Sequence, residues 1–373
     1  MTAIVPVERR VEVGELLPGA GPLSVAADIY MPPRLRSPPT ALFCLPGGAL
    51  TRRYYDLQPD RGSPPDCAPQ PNHVAQPDHA PQPDHAPQPD HAPQPDHVTP
   101  PDRGPPPDFP HTAADFSFAV SLASRGFIVV TLDLLGIGGS SRPRDGFELT
   151  PDVLTKANAI AVDRICSDLR AGGAAARGQP LPDLRTIGVG HSMGAMLTVM
   201  QQARDRRHAG LMLFGYSTRG LTSALSPEEA TNACDPVATR QNIVRLARAR
   251  SREPYPVIAS SQGRGLFAGE GADRRGVEAL QAARTELLVT AGLFAMIPGS
   301  SVPECACLDV PIFLAVGDRD IAGPPHQIPA CFPASPDITL LILPASGHCH
   351  FLFASRRRLF ARASDWLEAV VRM

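Results

Sequence analysis

The sequence predicts an α/β fold, and three observations carry that prediction. Short apolar runs recur along the chain, and several lead directly into helix-compatible stretches. One such junction holds Gly190-His191-Ser192-Met193-Gly194, between the apolar run Thr186-Ile187-Gly188-Val189 and the run Ala195-Met196-Leu197-Thr198-Val199-Met200. Two later apolar runs, Val310 to Val316 and Ile338 to Leu343, are followed at once by Gly317-Asp318-Arg319-Asp320 and by Pro344-Ala345-Ser346-Gly347-His348.

The elements can be justified in chain order. Residues 7 to 14 and 23 to 30 alternate apolar and polar positions and read as a leading antiparallel hairpin. Ala41-Leu42-Phe43-Cys44-Leu45 reads as the first central strand, residues 112 to 124 as a helix, and residues 127 to 132 as a strand. Thr150-Pro151-Asp152 supplies an N-cap and a proline at the first helical position. Val153, Leu154, Ala157, Ile160, Ala161 and Ile165 then mark one apolar face. Residues 209 to 215 read as a strand and residues 355 to 371 as the closing helix. From Tyr216 to Asp309 no strand pattern occurs. There, Ser226-Pro227-Glu228-Glu229 has the form of a capping box, and residues 240 to 250 and 275 to 288 carry helical apolar spacing.

The serine junction is where chemistry is expected. A strand, a sharp turn and a helix around Ser192 put its hydroxyl at a sheet edge and at a helix N-terminus, where developing negative charge is favoured. The strained turn needs small neighbours, and Gly190 and Gly194 supply them. A serine hydroxyl is a poor nucleophile unless a base takes its proton, and the base must be held by a third group. His348 is the candidate base, with His350 two residues on as the alternative. Asp320 and Asp318 are both candidates for the orienting acid. Asp133 reads as structural, fixing the turn that carries Gly136 and Gly138. Chain order is Ser, Asp, His.

With that order the sequence resembles the α/β-hydrolase family. Leu45-Pro46-Gly47-Gly48-Ala49 is similar to the family's oxyanion loop, with Pro46 where histidine is more common. Asp133-Leu134-Leu135-Gly136-Ile137-Gly138-Gly139-Ser140 resembles its Asp-x-x-Gly-x-Gly-x-Ser turn. Gly317-Asp318-Arg319-Asp320 resembles its Gly-x-x-Asp turn, which points to Asp320 rather than Asp318, and Gly347-His348 its Gly-His turn. The resemblance implies an eight-stranded, mostly parallel sheet with helices on both faces and a helical cap over the site. It divides the chain into a core of residues 1–57, 111–215 and 310–373 and a cap of residues 216–309. It also implies Ser192, Asp320 and His348 as the catalytic residues. The backbone N–H of Met193 would be one oxyanion donor and that of Gly48, or else Ala49, the second.

The expected activity is cleavage of a carboxylic ester or thioester in a small molecule through an acyl-enzyme. Acyl transfer by the same residues is the runner-up, and a non-catalytic ligand-binding scaffold is the reading from another class. Serine at position 192 argues against haloalkane dehalogenase and epoxide hydrolase branches. No cofactor and no metal are expected, and Cys305-Ala306-Cys307 lacks the partner pair of a zinc site.

The chain has 373 residues, 43% of them hydrophobic, and a formal net charge of −2. That is ample for one large domain with an insertion, and it gives no reason to expect nucleic acid or an anionic membrane as partner. No apolar run is long enough for a spanning helix, and the first ten residues lack a signal-peptide core. Irregularly spaced cysteines favour reduced thiols in a cytoplasm. Residues 58–110 form a Pro/His/Asp-rich insertion in which His79, His85 and His91 each open His-Ala-Pro-Gln-Pro-Asp. Such a segment cannot bury enough apolar surface to offset its ordering entropy and is expected to be disordered.

Overall fold

The computed structural model describes residues 4–59, 113–176, 178–258 and 267–371. The histidine-bearing repeat, and the 58–110 insertion apart from Gln58 and Pro59, lie outside the described residues. Residues up to Arg61 and from Ala113 onward form one compact unit.

Eight strands form one sheet: β1 (Val7–Gly14), β2 (Leu23–Tyr30), β3 (Thr40–Leu45), β4 (Ile128–Leu132), β5 (Arg185–His191), β6 (Leu211–Phe214), β7 (Ile312–Gly317) and β8 (Ile338–Leu343), in the order β1-β2-β4-β3-β5-β6-β7-β8. The first two strands are the expected hairpin, and β2 runs antiparallel to β4. All remaining pairs are parallel. Strand β3 shows why the sheet is buried on both sides. Ala41, Phe43 and Leu45 enter one apolar cluster, while Leu42 and Cys44, pointing the other way, enter a second.

Helices cover each face. Helix α1 (Phe118–Ala123) and the C-terminal helix (Arg356–Val371) pack Phe118, Leu122, Leu359, Phe360 and Leu367 into one cluster. Helices α2 (Pro151–Arg170) and α3 (Met193–Asp205) cover the other, with Leu154, Ala157, Ala161 and Ile165 buried on the predicted stripe. The Thr150 hydroxyl accepts from the Val153 N–H and Pro151 opens the helix, as its sequence suggested.

The helix expected over residues 112–124 is shorter. Its α-helical part begins at Phe118, because the Ser117 hydroxyl caps it by accepting from the Val120 N–H at 3.0 Å while donating to Asp56 Oδ1 at 2.6 Å. Ala113–Phe116 is a separate 3-10 turn. The strand expected over 209–215 is confined to Leu211–Phe214, and Gly215 leaves it at φ +57°.

Between β6 and β7 lie α4 (Pro227–Ala230), α5 (Pro236–Arg250), α6 (Arg274–Gln281), α7 (Val289–Met296) and α8 (Val302–Ala306). The capping box at Ser226 and Glu229 forms, but on a helix of four residues. Helix α5 starts earlier than its apolar spacing suggested, since Asp235 accepts from the Val237 and Ala238 N–H groups and Pro236 follows it. Helix α6 ends well short of residue 288. There the backbone pairs instead with the loop after β3: Thr51 N–H donates to Ala283 C=O at 2.8 Å and Thr285 N–H to Ala49 C=O at 3.0 Å. Helix α7, unforeseen in the sequence, is apolar around its circumference and so carries no amphipathic signal. The C-terminal helix is therefore α9.

Candidate active site

Strand β5 delivers Ser192 to the sheet's C-terminal edge. Its backbone stands at φ +54°, ψ −120°, a conformation that side-chain-bearing residues rarely adopt. The two flanking glycines permit this. A Cβ on Gly190 would lie 2.4 Å from Ala195 Cα, and one on Gly194 would lie 2.2 Å from Leu45 C=O. The turn thus forms only with bare backbone at both positions.

The turns after β7 and β8 bring the other two residues to the serine. His348 Nε2 lies 2.9 Å from Ser192 Oγ, and His348 Nδ1 lies 2.7 Å from Asp320 Oδ1. A carboxylate only accepts, so Nδ1 carries the proton and Nε2 keeps its lone pair toward the serine hydroxyl. Asp320 Oδ1 also accepts from the Ala322 N–H at 2.9 Å. Burial alone raises the Asp320 carboxyl, but the electrostatic pull of the His348 imidazole and the hydrogen bonds from His348 and His350 outweigh it. The group is held well below the usual carboxylate range and is an anion.

Asp318 occupies a different place. It accepts from the backbone N–H groups of Ala345 and Ser346 at 2.9 and 3.1 Å, tying the turn after β7 to the turn that carries His348. Asp133, fully buried, accepts from the Arg52 and Gly139 N–H groups at 2.7 and 2.8 Å and forms an ion pair with the Arg52 guanidinium. A Cβ on Gly138 would strike its carboxylate.

Met193 is the first residue of α3, so its N–H lies in the turn that has no intrahelical acceptor. Gly48 lines the same cavity as Ser192, Met193 and His348. A Cβ on the neighbouring Gly47 would sit 3.3 Å from Ser192 Cβ, so the loop after β3 passes directly over the serine. Ala49 adopts φ +58° and turns away to pair with Thr285. The cavity, of about 150 Å³, is walled mainly by Met193, Met196, Leu221, Leu287 and Met296, with Tyr216 and Ser301 at its polar side. Tyr216 Oη and Ser301 Oγ are 2.8 Å apart.

Two contributors escaped the sequence reading. His191, beside the serine, is fully buried and donates from Nε2 to the backbone C=O of His348 at 2.9 Å. Burial first, then the adjacent His348 and His350 imidazoles, push its pKa well below the ordinary value, so it stays neutral. Gly215 is needed because a Cβ there would lie 3.1 Å from both the Asp320 carboxylate and the His348 ring. Its signal was a glycine at the end of a strand. Tyr54 lies tilted 4.6 Å from the His191 ring and stacks 4.7 Å from Phe351, backing the site with aromatic surface.

A model of the alpha/beta hydrolase family matches residues 104–363, well over half of the chain, and the match includes Ser192, Asp320 and His348. The chain belongs to the α/β-hydrolase family. Solved structures agree on the fold of this α/β hydrolase. An esterase from Thermogutta terrifontis is 16% identical with a TM-score of 0.51, over 97% of this chain and 99% of that one. A bromoperoxidase from Bacillus anthracis is 13% identical with a TM-score of 0.54, over 98% and 100%. A proline iminopeptidase from Mycobacterium smegmatis is 15% identical with a TM-score of 0.53, over 98% and 99%. At such identities the likeness is one of fold alone. No curated protein sequence matches the chain. Among the described residues no helix is long and apolar enough to cross a membrane.

Proposed function

We propose that this α/β hydrolase is a serine hydrolase that cleaves a carboxylic ester or thioester of a small molecule. The observation that carries this reading is the continuous relay Ser192 Oγ, His348 Nε2, His348 Nδ1, Asp320 Oδ1, with steps of 2.9 and 2.7 Å. In the first half-reaction His348 takes the Ser192 proton as the hydroxyl oxygen attacks the acyl carbon. The N–H groups of Met193 and Gly48 receive the oxyanion. His348 returns the proton to the leaving alcohol or thiol, which departs as the carbonyl re-forms on Ser192. Water, activated by the same imidazole, then releases the acid. The anionic Asp320 holds the His348 tautomer and stabilises the imidazolium.

Residues 216–309 act in this reading as the cap. Met296, Leu287 and Leu221 wall the cavity and receive the apolar part of the substrate. The unpaired thiols buried at Cys44, Cys166, Cys305 and Cys349 support a cytoplasmic setting. The test is hydrolysis of a panel of p-nitrophenyl esters of graded acyl length by the native protein and by Ser192→Ala. The native protein should turn over at least the short esters. Ser192→Ala should fold normally and lose all measurable turnover, since a part-exposed turn residue contributes little packing. Equal turnover by the two would refute the reading.

A further inference from the structure

The Asp320 carboxylate has two imidazole neighbours. While His348 approaches Oδ1, His350 Nε2 lies 2.7 Å from Oδ2, and both members of this second pair are completely buried. The acceptor-only carboxylate fixes the proton on His350 Nε2. His350 Nδ1 is buried without a hydrogen-bond partner among the described residues. The bond from Nε2–H to Asp320 is thus the one side-chain hydrogen bond of the His350 ring among the described residues. His350 does not line the cavity and cannot reach a substrate. This removes it as an alternative base.

We infer that His350 is a positioning residue of the catalytic apparatus: its Nε2–H anchors Asp320 Oδ2, so that Oδ1 stays aimed at His348 Nδ1. The inference rests on the serine-hydrolase reading above. The division of labour on the carboxylate supports it. Oδ1 receives both His348 Nδ1 and the Ala322 N–H, whereas among the described residues His350 is the hydrogen-bond donor recorded for Oδ2. Without it the carboxylate can turn about its terminal bond, and its charge falls more fully on His348. The other titratable groups facing this pair are Cys349 on the same turn, His191 at the end of β5 and Tyr54 on the 3-10 turn Arg52–Asp56. Burial keeps all three neutral, raising the thiol and the phenol and lowering the imidazole. The Asp320 charge is therefore divided between its two histidines. Packing alone would be served equally well by an apolar side chain.

The experiment compares His350→Gln, His350→Asn and His350→Leu by melting temperature and by kcat and KM for one p-nitrophenyl ester across pH. Glutamine carries an N–H donor about as far out as Nε2, asparagine is one methylene too short, and leucine has no donor. His350→Gln should stay within about threefold of the native kcat, while the other two should lose about tenfold in kcat with KM within about twofold. In those two the acid limb of kcat/KM should move to higher pH, because a carboxylate that loses a donor stabilises the His348 imidazolium more strongly. Should leucine fail to fold, asparagine, which keeps polarity without reach, carries the comparison. A native acid limb and native kcat in Asn or Leu would overturn the inference. So would a Gln variant that folds but behaves like Leu. Ser192→Ala run alongside separates the two levels: native turnover that is independent of Ser192 refutes the hydrolase reading, whereas Ser192-dependent turnover indifferent to residue 350 refutes only this one.

Discussion

The two sides of the cavity are held together by different physics. On the sheet side, Ser192, Asp320 and His348 stand on turns at the ends of β5, β7 and β8. Strands β5 and β7 are buried along nearly their whole length, and Tyr54, Phe118, Phe214 and Phe351 pack beneath the turns. On the opposite side, helices α5 and α7 are tied down by arginines near the surface. Arg240 bridges Asp152 and Glu304 at 2.9 and 2.7 Å and lies over the Phe294 ring. Arg248 bridges Asp145 and Glu148 while covering Phe147. Arg142 pairs with Glu286 over Tyr255. Close packing admits almost no change of volume, whereas exposed ion pairs are individually weak and adjustable. On the proposed function, the difference assigns fixed reaction geometry to the sheet and adaptable substrate contact to the helices.

Among variants expected to keep the fold, the largest effect that probes this contrast should come from the acid turn. Asp320→Asn keeps the shape but can no longer enforce the His348 tautomer, and kcat should fall by about 10³ to 10⁴. Asp318→Asn, two residues away, should leave kcat within a few-fold and instead lower the melting temperature by a few degrees, since its bonds are to the Ala345 and Ser346 backbone. A greater kcat loss in Asp318→Asn would reverse the assignment.

A pair of glycines probes the contrast through folding as well as activity. Gly194→Ala drives a Cβ against the Leu45 and Pro46 carbonyl oxygens at 2.2 and 2.4 Å and should abolish activity or folding. Gly292→Ala, on the cavity wall, meets first the flexible Leu287 side chain, from 3.0 Å. It should fold, hydrolyse short esters at near-native kcat and raise KM for longer ones. Similar damage from both, read by melting temperature and by acyl-length profile, would dissolve the contrast.

The smallest effect concerns acid stability. His208 is fully buried beside the sheet, and burial, followed by the Arg207 charge, lowers its pKa from 6.5 to about 3. The unfolded chain therefore takes up a proton below 6.5 that the folded chain refuses until about pH 3. Stability is lost as pH falls through that window. His208→Asn can keep the contact to Thr186 near Nδ1 and should flatten the fall in melting temperature across this range, with the share due to His191 remaining. An unchanged slope would contradict the neutral, buried assignment.

The same contrast explains what could be read in the sequence. The sheet is written in patterns of period two and in continuous apolar runs, so β1, β2, β3 and β8 appear almost at their observed limits. Ser192, Asp320 and His348 were legible because each follows a strand directly, and a strand's end fixes the place of the next few residues. His350 and His191 were not, because their roles depend on which atom of a neighbouring turn they meet. The helices between β6 and β7 were read least well. Helix α7 has no polar face to reveal its period, and α6 stops where the chain pairs across to Ala49 and Thr51, a long-range contact that no local pattern contains.

The central claim, that the reaction passes through an acyl group on Ser192, is tested most directly by intact-mass spectrometry and peptide mapping after treatment with a fluorophosphonate. The account predicts one adduct, located on Ser192, absent in Ser192→Ala and formed much more slowly in His348→Ala. An unmodified native protein, or an adduct mapped to any other residue, would contradict it.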